Sequence, residues 1–243
     1  MSAGRQRPRF QDDRMENEMN AYIENGIRLS IIASVTGGRL IGPDLNIKNI
    51  TTDSRNIEPG SLFIAIRGER FDGHDFIEQA YSAGAFCVLA ERLSESVIPL
   101  DCAAVLVEDT VKALGKLAQY QKNAVAPFTV GVTGSTGKTT TKEFIYSVLS
   151  AQGITHKTEG NFNNEIGLPL TMLKMKPDSK YLVLEMGMSQ KGEIDYLTRL
   201  AGPDLAVITN IGDSHIENLG SRQAIRDAKL EICAGLRLSL IHI

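Results

Sequence analysis

GVTGSTGKTTTKE, residues 131–143, lies between an apolar run, FTVGV (128–132), and a segment of helical spacing, KTTTKEFIYSVLSAQ (138–152). Strand, glycine-rich turn, helix is the setting of a phosphate-binding loop. Gly134 and Gly137 let the backbone curl, so that the N–H groups of the intervening Ser135 and Thr136 point at phosphate oxygens. The helix that starts near Lys138 adds its positive end. In that setting Lys138 reaches the terminal phosphates of ATP, the Thr139 hydroxyl ligates Mg²⁺, and Thr140 completes the first turn. The glycines fall at 131, 134 and 137, with Val132 in the slot where the usual pattern has its first glycine. The loop specifies an ATP site and leaves the reaction open.

Downstream the pattern alternates. YLVLEMG (181–187) reads as a strand, GEIDYLTRLAG (192–202) as a helix, DLAVITN (204–210) as a strand and SRQAIRDAKLEI (221–232) as a helix. Uninterrupted apolar strands joined by helices predict a parallel sheet covered on both faces, with ligands at the carboxyl ends of the strands. Upstream, ITTDSR (50–55), SLFIAI (61–66), FCVLA and AAVLV read as short strands, separated by the turn EPG (58–60) and by a helix over HDFIEQAYSAGA (74–85) that stops at Gly84. The fold class is therefore α/β: a small N-terminal α/β domain over 27–110, a helical linker over 111–126 (VKALGKLAQYQKNA, then Pro127), and a P-loop parallel-sheet domain over 127–243.

Composition sets the outer limits. The 243 residues suit one or two domains at about 150 residues each. Lys and Arg number 26 against 29 Asp and Glu, a net charge of −3, which excludes a polycationic nucleic-acid binder. No apolar run is long enough to span a bilayer. Three scattered cysteines form neither a disulfide framework nor a zinc pattern. Residues 1–26 mix Arg5, Arg7, Arg9 and Arg14 with Asp12, Asp13, Glu16 and Glu18. Without an apolar core they read as a solvated tail or upstream extension rather than a signal peptide, with Met15 or Met19 as alternative starts. The cytoplasm is the expected compartment and a monomer the expected state.

The spacing Gly131, Gly134, Gly137-Lys138-Thr139 resembles the ATP-dependent Mur ligases of peptidoglycan synthesis and their folylpolyglutamate synthase relatives. EGNFNNEIGLPLTML (159–173), LEMGMSQKGEI (184–194), TNIGDSHIENLGS (209–221) and AKLEI (228–232) resemble family segments in order and spacing. TTDSRNIEPGSLFIAIRGERFDGHDFIEQAYSAGA (51–85) resembles the family's uridine-nucleotide domain, and the likeness covers about Leu29 to Leu236. The resemblance implies two substrates, UDP-N-acetylmuramoyl-tripeptide and D-alanyl-D-alanine. NFNNEIG favours that branch over the sibling that adds diaminopimelate or lysine to the muramoyl dipeptide. It further implies that ATP phosphorylates the tripeptide carboxylate and that the dipeptide amine displaces phosphate. RLSLIHI (237–243) does not resemble the family's continuation, so the expectation is a truncated chain without the C-terminal domain, binding ligands weakly and catalysing nothing.

Each remaining candidate has two readings. Glu185, at the end of a buried strand, needs a neutralising cation: a structural Arg or Lys, or the Mg²⁺ that the resemblance implies. His215 is a hydrogen-bonded loop histidine or, by resemblance, a catalytic and magnesium-site residue; Asn210, on the same crevice, is then a nucleotide contact. Lys229 is a surface lysine or the family's carbamylated lysine, whose anion would join the metal site. Asn161, Asn163 and Asn164 build a turn, or touch nucleotide or substrate. Ser54 and Arg55 form a surface turn or hold the uridine diphosphate. Asp72 and His74 read as a helix start, and His156 has no interpretable pattern. Two further readings stay open: a non-catalytic nucleotide-binding fragment, and a generic P-loop kinase or GTPase, which leaves TDSR unexplained.

Overall fold

The computed structural model describes residues 20–68, 71–214 and 216–237. Strands β1 (Asn20–Arg28), β2 (Arg39–Ile41), β3 (Asn46–Thr51), β4 (Leu62–Ile64), β5 (Cys87–Ala90) and β6 (Ala103–Leu106) form one mixed sheet in the order β1-β3-β4-β5-β6-β2. The outer strands β1 and β2 pair antiparallel with β3 and β6, and the inner pairs are parallel. Helix α1 (Leu29–Thr36) and helix α2 (Ile77–Ser82) accompany this sheet.

Residues 20–26, expected within the N-terminal tail, belong to a strand. Strand β1 takes residues from Asn20 into the sheet and buries Ile23 and Ile27, an alternation the charge-rich neighbourhood obscured. Residues 1–19 lie outside the described residues. The helix expected over 74–85 begins as a 3-10 turn, Gly73–Phe76, because the Asp72 side chain accepts the His74 N–H at 3.0 Å. It ends where Gly84 adopts φ +105°.

Helix α3 (Thr110–Val125) joins the two sheets, capped by Asp109, whose side chain accepts the Lys112 N–H. Its Ala113, Leu114, Leu117 and Ala118 are buried in the one large apolar cluster that runs through both halves of the molecule. At about 25 cal/mol per Å² of apolar surface, such a shared face holds the two halves together.

The second sheet holds β7 (Phe128–Thr133), β8 (Thr155–Lys157), β9 (Tyr181–Glu185) and β10 (Leu205–Ile208), all parallel, in the order β10-β7-β9-β8. Connections run through α4 (Lys138–Ser150), α5 (Gly167–Leu173) and α6 (Glu193–Ala201), and α7 (Ile216–Leu219) and α8 (Arg222–Leu230) follow β10. Val130, Val132, Leu182, Val183 and Leu184 are buried, as a sheet covered on both faces requires. The carboxyl ends of β7, β9 and β10 meet at the glycine loop, so the topology carries the expected crevice.

Candidate active site at the strand ends

Two glycines set the loop. Gly134 has φ +151° and Gly137, immediately before α4, φ +77°, conformations that L side chains rarely adopt. A Cβ at Gly134 would also collide with the Thr209 hydroxyl. Lys138 folds back over the loop and donates from Nζ to the Gly134 carbonyl at 3.0 Å.

The loop is braced from β10. The Ser135 N–H donates to the Asn210 carbonyl (3.1 Å) and the Ser135 Oγ accepts the Gly212 N–H (2.8 Å). Thr136 donates its N–H to Asn210 Oδ1 (3.0 Å), and Asn210 Nδ2 donates to the Thr136 hydroxyl (2.6 Å). The Ser135 and Thr136 N–H groups, expected to point at phosphate oxygens, therefore both donate to Asn210 here, because the β10 end packs against the loop. Thr140 is exposed on the first turn of α4.

Glu185 ends β9 at 3% exposure. Its Oε2 accepts the Thr139 hydroxyl at 2.9 Å and its Oε1 accepts Asn163 Nδ2 at 3.0 Å. No ion pair reaches it among the described residues. A buried carboxylate with two neutral donors still lacks a counter-charge. The hydroxyl and carboxylate oxygens are the hard donors that Mg²⁺ takes beside substrate phosphates. Among the described residues there is no group of three or more His, Cys, Asp or Glu able to hold a metal without such phosphates.

Of the three candidate asparagines, Asn163 is the one that touches Glu185. Its carbonyl also accepts the Gly187 N–H at 2.9 Å, so the segment seals the end of β9. Asn164 caps α5, its Oδ1 accepting the Ile166 and Gly167 N–H groups (3.2 and 2.8 Å). The Asn161 carbonyl accepts the Asn163 N–H within the turn. Three adjacent asparagines look equivalent in sequence, and only the turn's path separates their roles.

Lys229 is buried at 2% exposure on α8. Burial, and after it the nearby Lys138 ammonium, push its amine down to about 8. Lys229 is therefore a buried lysine rather than a surface one, and its charge feels that of Lys138. Asp213 and Arg222 form a bidentate pair (2.6 and 3.0 Å) that ties the loop after β10 to α8. His215, two residues beyond Asp213, lies outside the described residues.

The TDSR turn is a separate place. Arg55 donates Nε and Nη2 to Asp53 (2.9 and 2.7 Å), and the Arg55 N–H reaches the same carboxylate at 3.0 Å. The guanidinium holds the Asp53 carboxyl below its ordinary range. Arg55 is exposed and Ser54 half-buried. Asp72 and His74 have the structural role that the sequence suggested: His74 Nδ1 meets Asp72 at 2.6 Å, and Nε2 accepts the Glu91 N–H at 3.0 Å. A cavity of about 320 Å³ lined by Ile23, Ile27, Tyr120 and Val125 contains none of the candidate residues.

Residues 46–122 match the family described as Mur ligase family, catalytic domain, and residues 132–243 match the Mur ligase middle domain. The chain is 53% identical over 209 residues to the UDP-N-acetylmuramoyl-tripeptide–D-alanyl-D-alanine ligase of Bacillus subtilis (strain 168), covering 85% of this chain and 46% of that protein. Among solved structures it is similar to MurF from Acinetobacter baumannii, with TM-score 0.81 and 36% identity over 87% of this chain and 47% of that one. It is also similar to the MurF ligase of Thermotoga maritima in complex with ADP, with TM-score 0.72 and 41% identity over 77% and 43% of the two chains. The chain spans about half the length of the curated relatives it matches.

Proposed function

Because the chain belongs to the Mur ligase family, we propose that it carries the uridine-nucleotide and ATP sites of a ligase joining D-alanyl-D-alanine to UDP-N-acetylmuramoyl-tripeptide. The observation that carries the reading is the Glu185 carboxylate, hydrogen-bonded at once to Thr139 of the P-loop helix and to Asn163 of NFNNEIG. That link joins the triphosphate loop to the segment that favours this branch of the family. The B. subtilis relative's name and the ADP in the T. maritima structure support the same substrates.

The chemistry follows from the acceptor. A carboxylate is anionic and a poor acyl donor, so it must first be activated. One of its oxygens attacks the γ-phosphorus, and the bond to the β–γ bridging oxygen breaks, releasing ADP. The dipeptide amine then adds to the acyl carbon and loses a proton, and inorganic phosphate leaves with the C–O electron pair. Lys138, now on the Gly134 carbonyl, is placed to turn onto the transferring phosphoryl group. Thr139 and Glu185 would hold Mg²⁺, which supplies charge neutralisation and alignment of the phosphates. Asn210 braces the loop through Ser135 and Thr136.

The amine of Lys229, pushed down to about 8, has an appreciable neutral fraction at physiological pH. Attack of that amine on CO₂ with loss of a proton gives a carbamate, turning the cation that faces Lys138 into an anion suited to the metal site. The family match alone extends the site to His215, Asn161 and Asn164. In the N-terminal unit, 27–110, Ser54 and Arg55 hold the uridine diphosphate, and helix 111–126 links it to the ATP unit, 127–243. Such a protein works in the cytoplasm, where ATP and the nucleotide precursor are made.

The test follows one oxygen atom. UDP-muramoyl-tripeptide labelled with ¹⁸O in its terminal carboxylate is incubated with ATP, Mg²⁺, D-alanyl-D-alanine and a version of the protein extended to the length of its relatives. Phosphate carrying ¹⁸O supports the reading; unlabelled phosphate, or label transfer only with the muramoyl dipeptide and a diamino acid, overturns it.

A further inference from the structure

Lys142 is the one fully buried residue of α4, with 1% exposure, and nothing in the chemistry above uses it. A buried ammonium is costly unless it is engaged. Its Nζ donates to the Thr158 carbonyl at 2.6 Å and lies 3.2 Å from Glu143 Oε1. Thr158, itself fully buried, accepts the Glu185 N–H on its hydroxyl at 3.0 Å and donates its own N–H to the Val183 carbonyl. Glu185 then returns to α4 through Thr139. The connections close a ring: Lys142, Thr158, Glu185, Thr139, and back along less than one turn of the same helix.

We propose that Lys142 is a positioning residue for the divalent-cation site, fixing through Thr158 the end of β9 so that the Glu185 carboxylate faces Thr139. The hydrogen bond acts behind the carboxylate: it holds Thr158, and with it the Glu185 backbone, while leaving both carboxylate oxygens directed at Thr139 and Asn163. A neutral residue of the same length would still fill the space and would lose that bond. The inference rests on the proposal that this crevice binds ATP with Mg²⁺.

The experiment uses the whole chain and titrates ATP calorimetrically in EDTA and again in excess Mg²⁺. Lys142→Met should leave the Mg²⁺-free affinity unchanged and cut the Mg²⁺-dependent gain about 10–100-fold, the usual cost of losing a partner that orients a metal ligand. Thr158→Val, which keeps the carbonyl for Lys142 and deletes only the hydroxyl, should lose the same gain, and Thr158→Ser should keep it. Amide hydrogen exchange at Glu185 should quicken in Lys142→Met and Thr158→Val but not in Thr158→Ser. An unaltered Mg²⁺ gain in Thr158→Val, or equal loss of ATP affinity with and without Mg²⁺ in either variant, overturns the role of Lys142. Should the unmodified chain show no Mg²⁺-dependent gain, the reading of the crevice falls and the Lys142 proposal with it.

Discussion

The two candidate sites are built in opposite ways. At the TDSR turn, Arg55 meets Asp53 only two residues away. At the strand ends, the contacts of the P-loop cross 46 residues from Thr139 to Glu185 and 74 from Thr136 to Asn210. A local site is fixed as soon as the turn forms. A long-range one exists only when the sheet has registered, so it is sensitive to changes anywhere along the elements that close it.

The largest effects therefore belong to the P-loop side. Lys138→Ala should lower the rate of acyl-phosphate formation about 10²–10³-fold, the scale of removing one preorganised charge donor. Transfer of ¹⁸O to phosphate measures it. Equal loss of UDP-muramoyl-peptide binding would show that the two sites are not separate.

Gly134→Ala should come next. Its φ of +151° and the collision with Thr209 both oppose a side chain. Strained backbone of this kind costs about 1–3 kcal/mol before the collision is counted. Gly192 also has positive φ, +93°, but nothing lies within 4 Å of a Cβ there. Gly192→Ala should thus lower the melting temperature less, and should retain ATP binding that Gly134→Ala loses.

Arg55→Ala tests the local site. Stability should change by under about 1 kcal/mol, because the pair with Asp53 is exposed on the arginine side. UDP-muramoyl-peptide binding should fall by about 1.5–3 kcal/mol if a charged hydrogen bond to the ligand is lost, with ATP binding intact. Parallel titrations with the two ligands check the difference.

The last effect is in pH dependence: stability rises with pH in both halves, but over different windows. Asp53 is held below the ordinary carboxylate range by Arg55, and Asp72 by the His74 N–H and side chain and by Arg92. Their contribution is complete above the unfolded value of 3.8 and is lost as pH falls below it. Lys229 is shifted from 10.5 to about 8, so the unfolded chain binds the proton more readily between those values, and stability rises with pH across that window. Lys229→Met should abolish the alkaline rise and leave the acid loss, as read by denaturant midpoints from pH 3 to 10.5.

Local patterns were readable because they obey short-range geometry. The strand–glycine–helix sequence around Gly134 and Gly137, the apolar strands over 128–132, 181–187 and 204–210, and the Asp72–His74 helix start all rest on neighbours within a few residues. Short or polar elements were not readable. Strand β8, THK, is a polar edge strand, and α5 begins inside the asparagine turn, so neither carries a clear period. Strand β1 hid in a charge-rich stretch, where only Ile23 and Ile27 mark its inward face.

By itself the sequence determined the α/β class, the order of two units, the ATP loop with Lys138 and Thr139, and the family to which the chain belongs. Tertiary structure alone decided which of three asparagines meets Glu185, that Lys229 is buried beside Lys138 rather than exposed, and that Lys142 closes a ring behind the carboxylate. The reason is physical. Backbone conformation depends on adjacent residues, whereas burial and the fate of a charge depend on which distant segments the sheet brings against it, and a side chain's chemistry changes with that neighbourhood.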